Sequence, residues 1–318
     1  MTLSIAVLDD YQGRSADAAD WASVQDSKLT VFNEHLGDGD AVATALADFD
    51  VIVCMRERTL LPANVIDRLS SAKLIVTAGM RNLGIDMAAA RARGVDVCGT
   101  QMLGYPAAEL AWALVMALFK RIPSEHQAMR DGLWQTTLAE GMSGKTFGLF
   151  GLGKLGQRVA RMAQAFDMNV IAWSQNLTTE AAAEHGVECV EFDALFQRSD
   201  IISVQTVLSD RTRNKVGARE LGLMKASAYI VNTSRGPIIN ENALVEALKS
   251  GTIAGAGLDV FDVEPLPADH PIRMLDNVVL TGHTGYVVDN LYPLVYGQAV
   301  ENILAWQAGT PTRLLNAG

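Results

Sequence analysis

An α/β fold built on parallel sheets is the class this sequence predicts, on three observations. Short apolar runs alternate with helix-like segments through the first hundred residues. A glycine fingerprint, Gly151-Leu152-Gly153-Lys154-Leu155-Gly156, starts directly after the apolar run Thr146 to Phe150. Further strand-like runs then recur in about the number that a dinucleotide-binding sheet requires.

The elements follow in order. Ile5 to Leu8, Leu29 to Phe32, Val51 to Cys54, Leu74 to Thr77 and Val95 to Cys98 are short apolar runs of the kind buried in a parallel sheet. A helix is expected over Pro106 to Arg121, with Pro106 suited to its first turn. A less regular stretch containing Trp134 leads to Gly144-Lys145 before the fingerprint strand, and this helix and stretch together read as a domain crossover. An amphipathic helix over Lys154 to Phe166 and a buried strand over Asn169 to Trp173 complete a β-α-β unit around the fingerprint. Strands are expected at Glu188 to Val190, Ile201 to Val204, Tyr229 to Asn232, Gly255 to Asp259 and Val278 to Leu280, and a last helix over Asn290 to Trp306.

The fingerprint carries a chemical expectation. The first glycine permits the tight turn, the second lets backbone approach a pyrophosphate, and the third lets helix pack on strand. The helix N-terminus offers unpaired N–H groups to the anion. A dinucleotide site follows from this setting, where the glycines alone could equally make a structural turn.

Length and composition bound the rest. A chain of 318 residues has room for two domains of roughly 150 residues each. A net charge of −10 argues against nucleic acid as a partner, since phosphate binding needs clustered Lys and Arg. The longest apolar run, Leu110 to Phe119, is too short to span a bilayer, and Asp9 and Asp10 break the apolar start that a secretory signal would need. Cys54, Cys98 and Cys189 lie far apart and form no C-x-x-C pair, so neither disulfides nor a metal site is expected. A soluble protein of the reducing cytoplasm, with no membrane partner, fits these features.

In open α/β sheets, ligands sit beyond the carboxyl ends of the strands, so polar residues just after strands are the candidates. Three such segments stand out: Val231-Asn232-Thr233-Ser234-Arg235-Gly236, Gly257-Leu258-Asp259 running to Glu264-Pro265, and Leu280-Thr281-Gly282-His283-Thr284-Gly285. His283 can move a proton near neutral pH, Arg235 can grip a carboxylate with two N–H groups, and Glu264 can orient an imidazole and favour its charged form. Singly, each is as easily a packed, solvated or turn-shaping residue. Their chemical types are complementary for reduction of a 2-oxo acid beside a nicotinamide.

These motifs, taken in order, resemble the D-isomer-specific 2-hydroxyacid dehydrogenases, the group that includes phosphoglycerate, glycerate, glyoxylate and hydroxypyruvate enzymes. The resemblance spans nearly the whole chain and is carried by Gly148 to Gly156, by Leu223-Met224-Lys225 running to Gly236, by Gly257 to Glu264-Pro265, and by His283-Thr284-Gly285. It implies two doubly wound parallel-sheet domains: a Rossmann-type cofactor domain over 105–289, inserted into a flavodoxin-like substrate domain of 1–104 plus 290–318. It also implies an Arg/Glu/His active site at Arg235, Glu264 and His283, a small 2-oxo or 2-hydroxy acid substrate, and a homodimer. Cofactor contacts are expected at Gly151, Gly153, Lys154, Leu155, Gly156, Ser174, Thr233 and Asp259, the last near the nicotinamide carboxamide. Substrate contacts are expected from backbone at Ala78 and Gly79, from Arg235, and from Arg56, which could instead be a surface residue paired with Glu57. Trp112 and Phe119 are expected to pack rather than bind.

Two departures stand out. The acid that selects NAD through the ribose 2′-hydroxyl is absent where Trp173 is followed by Ser174-Gln175-Asn176. No cation stands in that stretch to receive a 2′-phosphate, so the expectation leans to NAD and leaves NADP open. Gln205-Thr206-Val207-Leu208 replaces the His and Pro that many relatives carry there. The main expectation is an NAD(P)-dependent oxidoreductase that interconverts a 2-oxo acid and its D-2-hydroxy acid. The alternative is a catalytically weak NAD(P)-binding regulator of the corepressor type.

Overall fold

In a computed structural model that describes residues 2–317, the chain divides into two compact units. One is Met1–Leu103 with Val287–Gly318, and the other is Gly104–Tyr286. Each is an α/β unit on a single parallel sheet.

The first unit contains β1 (Leu3–Val7), β2 (Ser27–Val31), α1 (Gly39–Leu46), β3 (Val51–Cys54), α2 (Ala63–Ile66), β4 (Leu74–Thr77), α3 (Met87–Ala92) and β5 (Asp96–Gly99). Its strand order is β2-β1-β3-β4-β5, all parallel, the flavodoxin-like arrangement. β3 and β4 are continuous apolar runs, Val-Ile-Val-Cys and Leu-Ile-Val-Thr, because a parallel strand flanked by helices is buried on both faces. The thiols of Cys54 and Cys98 are buried, and that burial pushes Cys54 up to about 12 and Cys98 to about 11.

The second unit opens with α4 (Pro106–Lys120) and α5 (Ile122–Arg130). It continues through β6 (Thr146–Phe150), α6 (Lys154–Ala165), β7 (Asn169–Trp173), α7 (Thr179–Ala183), β8 (Glu188–Cys189), α8 (Phe192–Arg198) and β9 (Ile201–Val204). It ends with α9 (Ala218–Leu223), β10 (Tyr229–Asn232), α10 (Glu241–Lys249), β11 (Gly255–Leu258) and β12 (Val278–Leu280). The strand order β12-β11-β10-β9-β6-β7-β8 reverses direction between β6 and β9, which is the switch point where such sheets bind nucleotides. One core, with Phe150, Phe196, Ile230 and Leu258, fills one side of the sheet. The other, with Phe119, Phe147, Val159 and Val231, lies under α4 and α6. Trp112 packs at a tilt against Phe147 and Phe166, and Phe119 meets Tyr229 edge-on, so both are packing residues.

The irregular stretch expected before the fingerprint contains α5. Arg121, in left-handed conformation at φ 50°, ends α4 and turns the chain directly into this second helix. α11 (Leu291–Gln307) belongs to the first unit and packs on β4. The segment after it pairs with the edge strand β5: Leu315 N–H donates to Val97 O, Gly99 N–H donates to Arg313 O, and Asn316 accepts from Val97 N–H. No helix among the described residues is long and apolar enough to cross a membrane.

Candidate active site

The fingerprint forms the turn from β6 into α6. Gly151 has φ 109°, a region closed to most side chains, and a Cβ there would lie 2.7 Å from Gln205 O. A Cβ on Gly156 would run into the Gly151 carbonyl, so the third glycine serves close packing. Gly153 differs, because its Cβ position faces open space at the N-cap of α6. That is the room a pyrophosphate needs, with Lys154 and Leu155 supplying the first N–H groups of a 12-residue helix. The site therefore fits a dinucleotide. Ser174, half-buried, follows β7, and its carbonyl accepts from Leu177 N–H. Thr233 is buried after β10, where Gln205 Nε2 donates to its hydroxyl at 3.4 Å.

The Arg, Glu and His sit on segments that follow β10, β11 and β12 in turn. His283 Nδ1 lies 2.6 Å from Glu264 Oε2, with both side chains largely covered. Glu264 Oε1 accepts from the N–H of Phe261, which fixes the carboxylate against its own loop, and the Glu264–Pro265 peptide bond is cis. Arg235 stands at the head of a turn tied by Asn232: Asn232 Nδ2 donates to Arg235 O, and Ser234 N–H donates to Asn232 Oδ1. Arg235 Nη1 donates to Ser234 O. Gly236 packs so closely on the Phe261 carbonyl and Asp262 nitrogen that no Cβ would fit. The Arg235 turn and the Glu264 loop are thereby held together.

Asp259 is fully buried, and its carboxylate accepts from Thr281 Oγ1 (2.6 Å), Thr284 N–H (2.7 Å) and Gly285 N–H (2.9 Å). Those are the residues on either side of His283. Its bonds within the protein thus fasten the His283 segment.

In the first unit, Arg56 packs beside Gly79: a Cβ on Gly79 would lie 3.4 Å from Arg56 Cδ. Arg56 Nε is also 3.5 Å from Glu57 Oε1. Ala78 N–H donates to Cys54 O, and Gly79 N–H donates to Thr100 Oγ1 at 3.2 Å. In this conformation both are engaged inside the unit, and exposed Met80 and Arg81 carry the loop onward. A residue that sequence reasoning left aside is Asp9, buried with φ 58° at the end of β1. It accepts from Thr59 Oγ1 at 2.8 Å and so ties down the segment that bears Arg56. Burial pushes its carboxyl up, against the opposing pull of Thr59 and the charges of His35 and Arg58. The signal was present, since Asp9 breaks an apolar strand.

Comparison with known proteins fits this geometry. Residues 112–285 match the family model of the D-isomer specific 2-hydroxyacid dehydrogenase NAD binding domain. The chain is 32% identical over 304 residues to a glyoxylate reductase of Korarchaeum cryptofilum, covering 93% of this chain and 88% of that one. It is 38% identical over 264 residues to a hydroxypyruvate reductase of Thermotoga maritima, covering 81% and 84%. With a D-3-phosphoglycerate dehydrogenase of Methanocaldococcus jannaschii it shares 36% identity over 81% of its length but spans only 52% of that longer protein. Among solved structures, a phosphoglycerate oxidoreductase of Vibrio cholerae superposes with a TM-score of 0.91 at 32% identity, covering 96% of this chain and 99% of that one. The D-lactate dehydrogenase of Escherichia coli gives 0.82 at 26% identity, covering 98% and 100%. The chain belongs to the D-isomer-specific 2-hydroxyacid dehydrogenase family and is an oxidoreductase with that family's NAD(P)-binding domain.

Proposed function

We propose that this enzyme interconverts a small 2-oxo acid and its D-2-hydroxy acid, with Arg235, Glu264 and His283 as its catalytic set. The observation that carries the reading is the 2.6 Å contact of His283 Nδ1 with Glu264, on a loop packed directly against the Arg235 turn. A nicotinamide cofactor held at the Gly151–Gly156 turn would supply or take the hydride. Arg235 holds the substrate carboxylate through paired N–H groups and polarises the adjacent carbonyl. In reduction His283 gives its Nε2 proton to the carbonyl oxygen as hydride reaches the carbonyl carbon. In oxidation the same nitrogen takes the alcohol proton. Glu264, accepting from Nδ1–H, fixes which ring nitrogen faces substrate and favours the charged ring. Arg56 and the Ala78–Gly79 backbone are assigned to the substrate's anionic end, and Thr233 and Ser174 to the cofactor.

The test is the initial rate of NADH and NADPH oxidation against glyoxylate, hydroxypyruvate, pyruvate and bulkier 2-oxo acids, with His283→Ala as control. We expect turnover with NADH on at least one acid, and a loss of about a hundredfold or more in the control with cofactor binding retained. Equal turnover in the control would remove His283 from the mechanism. No turnover across the panel by cofactor-bound protein would leave the regulator reading.

The chain is also assigned a homodimeric state. Ile122, Met129, Leu133, Trp134 and Leu138 are all more than half exposed and fall in one short stretch on and after α5. A cluster of that kind is usual on a surface that another chain covers. The reducing cytoplasm is the assigned compartment, consistent with the free thiols at Cys54, Cys98 and Cys189.

A further inference from the structure

Beside the Glu264–His283 pair, the structure holds a second glutamate–histidine pair that the mechanism above does not use. Glu241 is the first residue of α10, where a carboxylate is favoured by the helix dipole, and Asn240 caps that helix through Ala243 N–H. Glu241 Oε1 lies 3.1 Å from His270 Nε2, and each side chain is only 18% exposed. His270 Nδ1 accepts from Ile272 N–H, so a neutral ring carries its proton on Nε2 and donates it to Glu241. The other carboxylate oxygen, Oε2, accepts from Asp262 N–H at 3.1 Å.

Asp262 lies in the short segment whose backbone sets Glu264. The preceding N–H, that of Phe261, is the donor to Glu264 Oε1. The peptide that carries the Asp262 N–H, Phe261–Asp262, is pressed against Gly236, the residue after Arg235. The Phe261–Asp262 peptide is therefore fixed by Gly236 packing and by the Glu241 carboxylate, and the adjoining Val260–Phe261 peptide is fixed by Glu264. Glu241 and Gly236 come from one continuous stretch that starts at Arg235. We infer that Glu241, oriented by His270, is a positioning residue that holds the Glu264 loop in register with the Arg235 turn, and through Glu264 sets the protonation of His283. Arg213 and Asp262 are the other charged groups whose fields reach this cluster.

The inference rests on the proposed Arg/Glu/His mechanism, so the test has one arm that needs no turnover. In 13C-histidine-labelled protein, the His283 ring resonance is followed with pH in the parent, Glu264→Gln, Glu241→Ala, Glu241→Gln and His270→Ala. It is identified among the five histidines by its absence in His283→Asn. We expect the His283 midpoint to move in Glu241→Ala in the same direction as in Glu264→Gln. His270→Ala should move it less, and Glu241→Gln, which keeps an acceptor for Asp262 N–H, should restore most of the difference. In the kinetic arm, Glu241→Ala should lower kcat by about tenfold through misplacement of the acid–base pair, with KM for the nicotinamide cofactor unchanged.

A parent-like His283 titration in Glu241→Ala, with Glu264→Gln displaced, would overturn the proposal. Should Glu241→Ala fail to fold, parent-like titration in both Glu241→Gln and His270→Ala would do the same. No displacement even in Glu264→Gln would overturn the underlying pair and this inference with it. A parent that turns over no acid would instead count against the mechanism alone, because the resonance arm still decides what Glu241 does.

Discussion

His283 is held by two acids with separate tasks. Glu264 contacts its ring, while Asp259 grips the segment on either side, through Thr281 Oγ1 before it and Thr284 and Gly285 N–H after it. The second grip has a physical reason, because His283 sits at φ 52°, a left-handed conformation that costs a non-glycine residue roughly 1 kcal/mol or more. Such a conformation persists only where the surroundings over-determine it. The chemical types Arg235, Glu264 and His283 were legible in the sequence because each follows an apolar strand. The bonds that Asp259 makes within the protein were not legible, since hydrogen bonds to residues more than twenty positions away have no sequence signature. The glycines make a sharper case. Gly151 and Gly156 are demanded by contacts inside the protein, but Gly153 faces open space. Gly153→Val should therefore leave the fold intact and weaken NADH binding by at least about tenfold, or about 1.4 kcal/mol, in a fluorescence titration. Unchanged affinity would place the pyrophosphate elsewhere.

Among the elements, the strands were legible and one helix was not. β3, β4, β6, β9 and β10 coincide with apolar runs because burial on both faces leaves a parallel strand few polar positions. α5 buries no residue, so Ile122–Arg130 carries no apolar stripe to mark it as a helix. Strand ends also carry electrostatic fastenings. Asp200, just before β9, accepts from Thr146 N–H (2.7 Å) at the start of β6 and from Lys225 Nζ (2.8 Å) ahead of β10. Burial pushes this carboxyl up, but those bonds more than offset it and hold it below its ordinary value. A carboxylate lowered in the folded state contributes stability that is present above its unfolded pKa and lost as pH falls through the folded one. Asp200→Asn should thus cost about 1 kcal/mol at pH 7, given the partial exposure of Lys225. The deficit should shrink as pH falls below the ordinary carboxylate range. Calorimetric melting from pH 7 down to pH 3 checks this, and a deficit that stays constant would assign the effect to something other than the charge.

On the scale of the molecule, the two parallel sheets were legible as alternation of strand and helix, and the expectation that one unit gives way to the other at residue 105 came from the family resemblance rather than from any linker in the sequence. The structure divides the chain at Gly104, before α4. The reason is that α4 packs on β10, β11 and β12, strands that come more than a hundred residues later. The exposed apolar stretch from Ile122 to Leu138 belongs to this scale too. Light scattering on the purified protein should give the mass of a dimer of the 34.2 kDa chain. Trp134→Ser with Leu138→Ser should move it toward monomer, since removing central apolar anchors is the efficient way to weaken an interface. A monomeric parent would leave that surface without its assigned occupant.

The return of residues 313–316 to the edge of β5 has a consequence for how the chain is made. A ribosome delivers β5 long before its partner segment, and the whole second unit emerges in the interval. The first unit therefore waits, with an open sheet edge and without α11, until residues 313–316 have emerged, while the second unit has all of its strands and can close on its own. The half that binds cofactor matures first, and the half that completes the enzyme is the last to be sealed.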